Sequence, residues 1–192
     1  MNLTHNQNQQ LKIAITGSTQ GIGSEIKKKF ESHGHRVIDF SRSQGWDISN
    51  PDIQNRIIEE LVDCDIFINN AHSGFSQVEL LFKAQESWRG KKKTIVNIGS
   101  SITMRWDTNN RNPQYRNEKL ALDDACEFLW NRDPWPQIML FKPCAADTPR
   151  MSHWSGEKVS PEEFAEFLYL CLSQKKFRVQ QVGIAINPAD PE

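Results

Sequence analysis

Tyr115 and Lys119 stand four residues apart in Pro113-Gln114-Tyr115-Arg116-Asn117-Glu118-Lys119. On a helix that spacing puts both side chains on one face, so a phenol and an ammonium share one volume. A lysine held there favours the phenolate and is expected to draw the tyrosine pKa down from its free value near ~10. Such a tyrosine trades a proton with a substrate oxygen near neutral pH. The same spacing occurs in helices that do no chemistry, so it needs company. Upstream lies Thr16-Gly17-Ser18-Thr19-Gln20-Gly21-Ile22-Gly23. Gly17 suits a tight turn, Gly21 lets backbone approach a pyrophosphate, and Gly23 permits close helix packing. A helix starting there offers free N–H groups and a positive dipole end to an anion.

The elements that must position these groups alternate between short apolar runs and helical patterns. Strands are expected at Leu11 to Thr16, Arg36 to Phe40, Asp65 to Asn69, Thr94 to Gly99, Gln137 to Lys142 and Val182 to Ile186. Helices are expected at Gly21 to Ser32, Pro51 to Val62, Ser76 to Trp88, Tyr115 to Trp130 and Ser160 to Leu172, several opening on proline. Strands without hairpin turns, each followed by a helix, predict an α/β fold: a three-layer, doubly wound parallel sheet of the Rossmann kind. Ligands in such folds sit beyond the carboxyl ends of the strands, where both motifs fall.

The 192 residues suit one domain, expected over 11–192 after a polar arm at 1–10. A formal charge of -1, from 23 basic and 24 acidic residues, gives no basic surface for nucleic acid. Lys27-Lys28-Lys29 and Lys91-Lys92-Lys93 read as solvated faces. No apolar run is long enough to span a membrane, and the N-terminus lacks the segments of a signal peptide. Cys64, Cys126, Cys144 and Cys171 lack paired spacing, so free thiols in a reducing cytoplasm are expected and no metal site.

Four elements then occur in order: T-G-x-x-x-G-x-G, Asn69-Asn70-Ala71 at a strand end, Asn97-Ile98-Gly99-Ser100-Ser101 at another, and Y-x-x-x-K. Together they resemble the short-chain dehydrogenase/reductase family from about Leu11 to the C-terminus. The resemblance implies that Gly17, Ser18, Thr19, Gln20, Gly21, Ile22 and Gly23 meet the phosphates and ribose of a nicotinamide cofactor. It implies Asp47 and Ile48 at the adenine, after a short third strand, and Asn70 and Ala71 along the adenosine ribose. Pro143, Ala146 and Thr148 would line the nicotinamide. Ser100 would hydrogen-bond the substrate carbonyl and Tyr115 would move the proton. Lys119 would hold the nicotinamide ribose and tune the phenol. A small-molecule carbonyl or C=N substrate is implied, and a homodimer or homotetramer formed through the helices at Ser76–Trp88 and Tyr115–Trp130. In the first of these helices Val78, Leu81, Phe82 and Trp88 form an apolar stripe that serves core and interface equally well.

Cofactor choice turns on Val37-Ile38-Asp39-Phe40-Ser41-Arg42-Ser43. An acid just past the strand would bind the ribose hydroxyls of NAD(H), whereas Ser41 and Arg42 suit a 2′-phosphate, so NADP(H) is expected. Asp39 is the competing reading, placed inside the strand. Departures from the family pattern are His72 after Ala71, Cys144 after Pro143, no helix asparagine between Asn70 and Ile95, and a short lid at 149–159. Trp106 and Trp154 either flank a flat substrate or plug the core edge, while Trp88, Trp130 and Trp135 read as packing residues. The departures leave a second expectation open, a weakly catalytic NADP(H)-binding sensor or docking protein.

Overall fold

A computed structural model of the chain describes residues 10–104, 112–174 and 176–186. Most of the polar arm, and Arg105 and Trp106, lie outside the described residues. Eleven main elements follow in order. They are β1 Lys12–Thr16, α1 Gly21–Ser32, β2 Arg36–Phe40, α2 Pro51–Glu60, β3 Ile66–Asn69, α3 Ser76–Ser87, β4 Thr94–Ile98, α4 Pro113–Trp130, β5 Gln137–Lys142, α5 Pro161–Leu172 and β6 Gln181–Gly183. All strands pair in parallel, in the order β2-β1-β3-β4-β5-β6.

Strand periodicity builds the three layers, because alternate side chains leave the sheet on opposite faces. Ile13, Ile15, Ile66, Ile68, Met139 and Phe141 pack with Ile26 and Phe30 of α1 and with Phe164 and Leu168 of α5. Ala14, Phe67, Ile95, Ile138 and Leu140 face α2, α3 and α4 through Ile57, Leu80, Trp88, Leu122 and Leu129. Trp88 is fully buried and its indole N–H donates to Leu61 O at 3.2 Å, so it packs as expected. Leu81 is buried with it, while Phe82 of the same stripe remains 40% exposed.

Three helices start on side-chain caps ahead of an N1 proline: Asn50 accepts from Asp52 N, Asn112 from Tyr115 N, and Ser160 from Glu162 N and Glu163 N. The Asn112 cap starts α4 two residues earlier than the apolar pattern suggested.

Two strand expectations need correction. No short third strand precedes Asp47; a 3-10 turn at Arg42–Gln44 and the left-handed Gly45 occupy that stretch. Too few residues separate Phe40 from Asp47 for the chain to turn back and pair, so β2 is the sheet edge. The last strand starts at Gln181, not Val182, because Leu140 pairs with Gln181. Its polar edge residues hid that start.

The chain winds outward from β1 to β2, then returns to place β3 on the other side of β1. The reversal opens a crevice at the carboxyl ends of β1 and β3.

Candidate cofactor and active site

At that crevice the glycine turn is clamped by Asn70. Its amide Nδ2 donates to Thr16 O at 3.0 Å and Gly17 O at 2.9 Å. Thr16 Oγ1 accepts from both Asn70 N and Ala71 N at 3.0 Å. Gly17 has φ 71° and Gly21 φ 59°, in the left-handed region where a Cβ is strained. A Cβ on Gly17 would also press Ala71 at 3.1 Å. One on Gly23 would overlap the Gly17 carbonyl oxygen and sit 2.7 Å from Asn70 Nδ2. Helix α1 has no side-chain cap, in contrast to α2, α4 and α5, so its first amides keep no side-chain acceptor. Gly21 is approached by the Thr148 side chain, which brings the segment after β5 over the turn.

The end of β2 differs from expectation in one side chain. Ser41 is 1% exposed; its hydroxyl donates to Asp39 Oδ1 at 2.9 Å and accepts from Ser18 N at 3.2 Å. It braces the turn from behind and has no hydroxyl to offer a phosphate. Asp39, the competing acid, points to α1, where Lys27 Nζ pairs with it at 2.8 Å. Arg42 is exposed and has no ion-pair partner among the described residues. Asp47 closes a turn on Ser49 N at 3.0 Å, and Ile48 is buried.

Ser100, two residues past the end of β4, caps the following turn by accepting from Ile102 N at 3.3 Å. Tyr115 stands beside it in the first turn of α4. Burial raises the phenol pKa; the neighbouring Ser100 hydroxyl and the Arg150 charge pull the other way and do not offset it. The expected drop is therefore reversed. Lys119 faces the same space, its ammonium 5.8 Å from the Tyr115 ring centre. It donates elsewhere, to Gln77 Oε1 at 2.7 Å and Ile98 O at 2.9 Å. Burial first, then the Arg150 charge, lowers the Lys119 pKa to about 7.

The unfolded lysine titrates near 10.5 and the folded one near 7, so between those values the unfolded chain holds the extra proton. This group's contribution to stability is complete above 10.5 and is lost as pH falls through 7, with a slope of up to about 1.4 kcal/mol per unit of pH. Thermal denaturation of wild type and Lys119→Met should thus show a Tm difference that moves in favour of wild type from pH 7 to pH 10. A pH-independent difference would remove the titration from that window.

Sequence reasoning missed three residues of this site. Gln77, in α3, also donates to Asn69 O at 2.6 Å and Ile98 O at 3.0 Å. Its signal was available: Gln77, Leu80, Leu81, Ala84 and Trp88 lie on one buried face, and a polar residue in such a stripe needs partners. Glu118 is 6% exposed at its side chain and accepts from His72 Nε2 at 2.8 Å and Gln114 Nε2 at 3.0 Å. His72 is thus an internal partner, its ring edge-on to Tyr115 at 4.9 Å. Burial, then the Lys119 and Arg150 charges, lowers its pKa to about 4 against the pull of Glu118. The third residue, Arg150, sits on a 3-10 turn at Pro149–Met151 with its guanidinium 5.8 Å from the Tyr115 ring centre.

The segment after β5 is pinned by Asp147 N to Val159 O at 2.9 Å and Val159 N to Ala145 O at 2.8 Å, with Pro143 and Ala146 buried. Cys144 is half-buried and burial raises its thiol pKa, which disfavours the thiolate a redox role needs. Trp154 is 40% exposed on the lid, so it does not plug the core. A cleft of about 360 Å³ adjoins Gly21 between α1 and α5; Lys158, paired with Asp147, lines it together with Glu25, Glu162 and Glu163, so its net charge is negative and disfavours phosphate. No helix among the described residues is long and apolar enough to cross a membrane, and no metal-binding cluster of His, Cys, Asp and Glu occurs among them.

No protein-family model and no curated protein sequence matches this chain. Solved structures do. A short-chain dehydrogenase from Burkholderia cenocepacia in complex with NADP aligns over 92% of this chain and 88% of its own, with a TM-score of 0.77 at 16% identity. The fold is that of the short-chain dehydrogenases. A short-chain dehydrogenase from Streptomyces avermitilis gives a TM-score of 0.76 at 15% identity, over 92% of this chain and 89% of its own. The L-sorbose reductase of Gluconobacter frateurii, complexed with NADPH and L-sorbose, gives 0.71 at 17%, over 92% and 95%. In this short-chain dehydrogenase fold the glycine turn and the Ser100–Tyr115–Lys119 group face each other across the carboxyl ends of β1, β3 and β4.

Proposed function

We propose that this chain is a shortened member of the short-chain dehydrogenase/reductase family, an NADP(H)-dependent oxidoreductase that reduces a carbonyl or C=N bond of a small molecule. The carrying observation is that Ser100 and Tyr115 meet beside the buried Lys119, opposite a glycine turn whose close contacts leave no room for side chains. That turn and the uncapped start of α1 fit a dinucleotide pyrophosphate. Gly17, Ser18, Thr19, Gln20, Gly21, Ile22 and Gly23 would hold it, and Thr148 would close over it. Asn70 braces the turn while Ala71 lines the ribose; Asp47 and Ile48 would meet adenine, and Pro143 and Ala146 the nicotinamide. The bound cofactor supplies the hydride. Ser100 orients the substrate oxygen, and the Tyr115 phenol, kept protonated by its raised pKa, donates the proton to it. Lys119 and Arg150 place positive charge where the phenolate then forms.

Arg42 carries the preference for the 2′-phosphate without help from Ser41. Arg42→Ala should weaken NADPH binding about 10–100-fold, the worth of a charge-assisted hydrogen bond, and leave NADH binding nearly unchanged. Equal losses for both cofactors, measured by calorimetry, would remove the NADP(H) assignment. Two or four copies would associate through α3 and α4, where Phe82 and Phe128 are 40% and 53% exposed and pack edge-on at 6.5 Å. The four free thiols suit a reducing cytoplasm.

A second reading, a sensor that binds NADP(H) without turnover, draws on the direct Gln77 contact to Lys119, which occupies the amine that a water relay would use. NADPH oxidation against ketones, aldehydes, quinones and pterins separates the two. Turnover of any member supports the reductase, and binding with no turnover across the panel supports the sensor.

A further inference from the structure

The charges around Tyr115 are unequally committed. Glu118, the nearest carboxylate, is consumed by His72 and Gln114 and is buried. Lys119 is consumed by Gln77 and the Ile98 carbonyl, also buried. Neutral His72 adds no charge at physiological pH. Arg150 differs on each count. It is exposed, it has no ion-pair partner among the described residues, and its guanidinium stands 5.8 Å from the Tyr115 ring centre. The turn that carries it follows Thr148 directly, and the Thr148 side chain lies beside Gly21. The start of that turn is fixed locally by Met151 N, which donates to Thr148 O at 2.9 Å.

Apart from the phenolate that forms at Tyr115 after proton transfer, a neutral ketone held by Ser100 and Tyr115 gives this cation no anionic partner. Guanidinium groups present a planar fork of donors matched to carboxylate and phosphate oxygens. Because the guanidinium stands over the ring of the proposed proton donor, an anion that it receives would lie on the part of the substrate nearest the reacting carbonyl. We infer that Arg150 is a specificity-determining residue that receives an anionic group of the substrate, so the substrate class is a small oxo acid or oxo phosphate whose anion lies close to the carbonyl. This rests on the reductase reading for its reaction, but the binding of the anion can be measured without it.

The test uses pairs with and without the anionic group: benzoylformate and its methyl ester, acetoacetate and its methyl ester, dihydroxyacetone phosphate and dihydroxyacetone. NADPH oxidation is followed for wild type, Arg150→Ala and Arg150→Lys, and calorimetry measures mandelate against mandelamide on the same proteins without cofactor. Arg150 is exposed, so the variants should melt with wild type, which thermal denaturation checks. The expected result is a preference of 30-fold or more in kcat/KM for the charged member of at least one pair. That preference should fall below 3-fold in Arg150→Ala and be partly restored in Arg150→Lys, with mandelate binding lost in Arg150→Ala. If charged and neutral members react equally, or Arg150→Ala slows both alike, the proposal is overturned while the reductase reading stands. If Arg150→Ala weakens NADPH binding and leaves the charge preference intact, Arg150 serves the cofactor and the proposal is again overturned. If no pair is turned over, the reductase reading is judged on the wider carbonyl panel and not on these pairs. Calorimetry then decides: Arg150-dependent mandelate binding supports the anion site, and its absence overturns it.

Discussion

Replacing Tyr115 with phenylalanine should lower kcat by about 10²–10⁴-fold and leave NADPH affinity within a factor of about three, the profile expected of a lost proton donor. The substitution removes one oxygen. The ring keeps its edge-on contact with His72 at 4.9 Å, and the Asn112 cap binds the backbone N–H, not the phenol. Packing and helix start are therefore preserved, and a loss of turnover reports on the hydroxyl alone. Because burial holds the phenol protonated, the effect should be largest in the reductive direction, where an acid is required. Steady-state kinetics with the most active substrate of the panel, together with calorimetry for NADPH, gives both numbers. A variant that retains a third of wild-type kcat would place proton transfer elsewhere and return attention to His72 and Glu118.

Gly23→Ala is expected to cost about 3 kcal/mol or more and to abolish dinucleotide binding. The added Cβ meets the Gly17 carbonyl oxygen and Asn70 Nδ2, and neither can give way cheaply. The carbonyl is backbone in a left-handed turn, and the amide holds two carbonyls at once. Helix α1 must therefore tilt off the sheet or the clamp must open, and either change moves the amides at the start of α1. For a chain of this size the cost corresponds to a Tm decrease of roughly 6–12 °C. Gly34→Asn is the control. Gly34 also has a positive φ of 78°, but a Cβ there meets nothing within 4 Å, and asparagine tolerates that backbone. Differential scanning calorimetry should separate the two variants widely; equal Tm values would mean that the α1–turn contact is looser than these distances imply.

The fold was legible because each strand is a short apolar run ended by turn chemistry, and because Pro51, Pro113 and Pro161 mark helix starts. The parallel, doubly wound sheet followed from strand–helix alternation, while the strand order did not. The missing third strand was not legible, since Trp46-Asp47-Ile48 has strand-like composition but too little chain before it to reverse direction. Within the site, local spacing placed Tyr115 and Lys119 on one face correctly and misjudged what passes between them. Four residues of helix bring the groups near, but tertiary acceptors on α3 and β4 claim the ammonium, and burial then governs the phenol. Ser41 shows a related effect: its place just after β2 was legible, but the direction of its hydroxyl is set by Asp39 and Ser18. Gln77, Glu118 and Arg150 come from three distant stretches of chain, and only the assembled fold brings them to one site.

The Gln77 amide has a consequence for how charge is carried. One side chain ties the ends of β3 and β4 together through Asn69 O and Ile98 O, and the same group supports the Lys119 ammonium. The dipoles around that amine are therefore held at fixed angles by the sheet itself. Solvation at this point is a property of strand spacing: widening the gap between two neighbouring strands would act on the amine as a drop in local polarity, and the mechanical state of the sheet and the protonation of its buried lysine become a single variable.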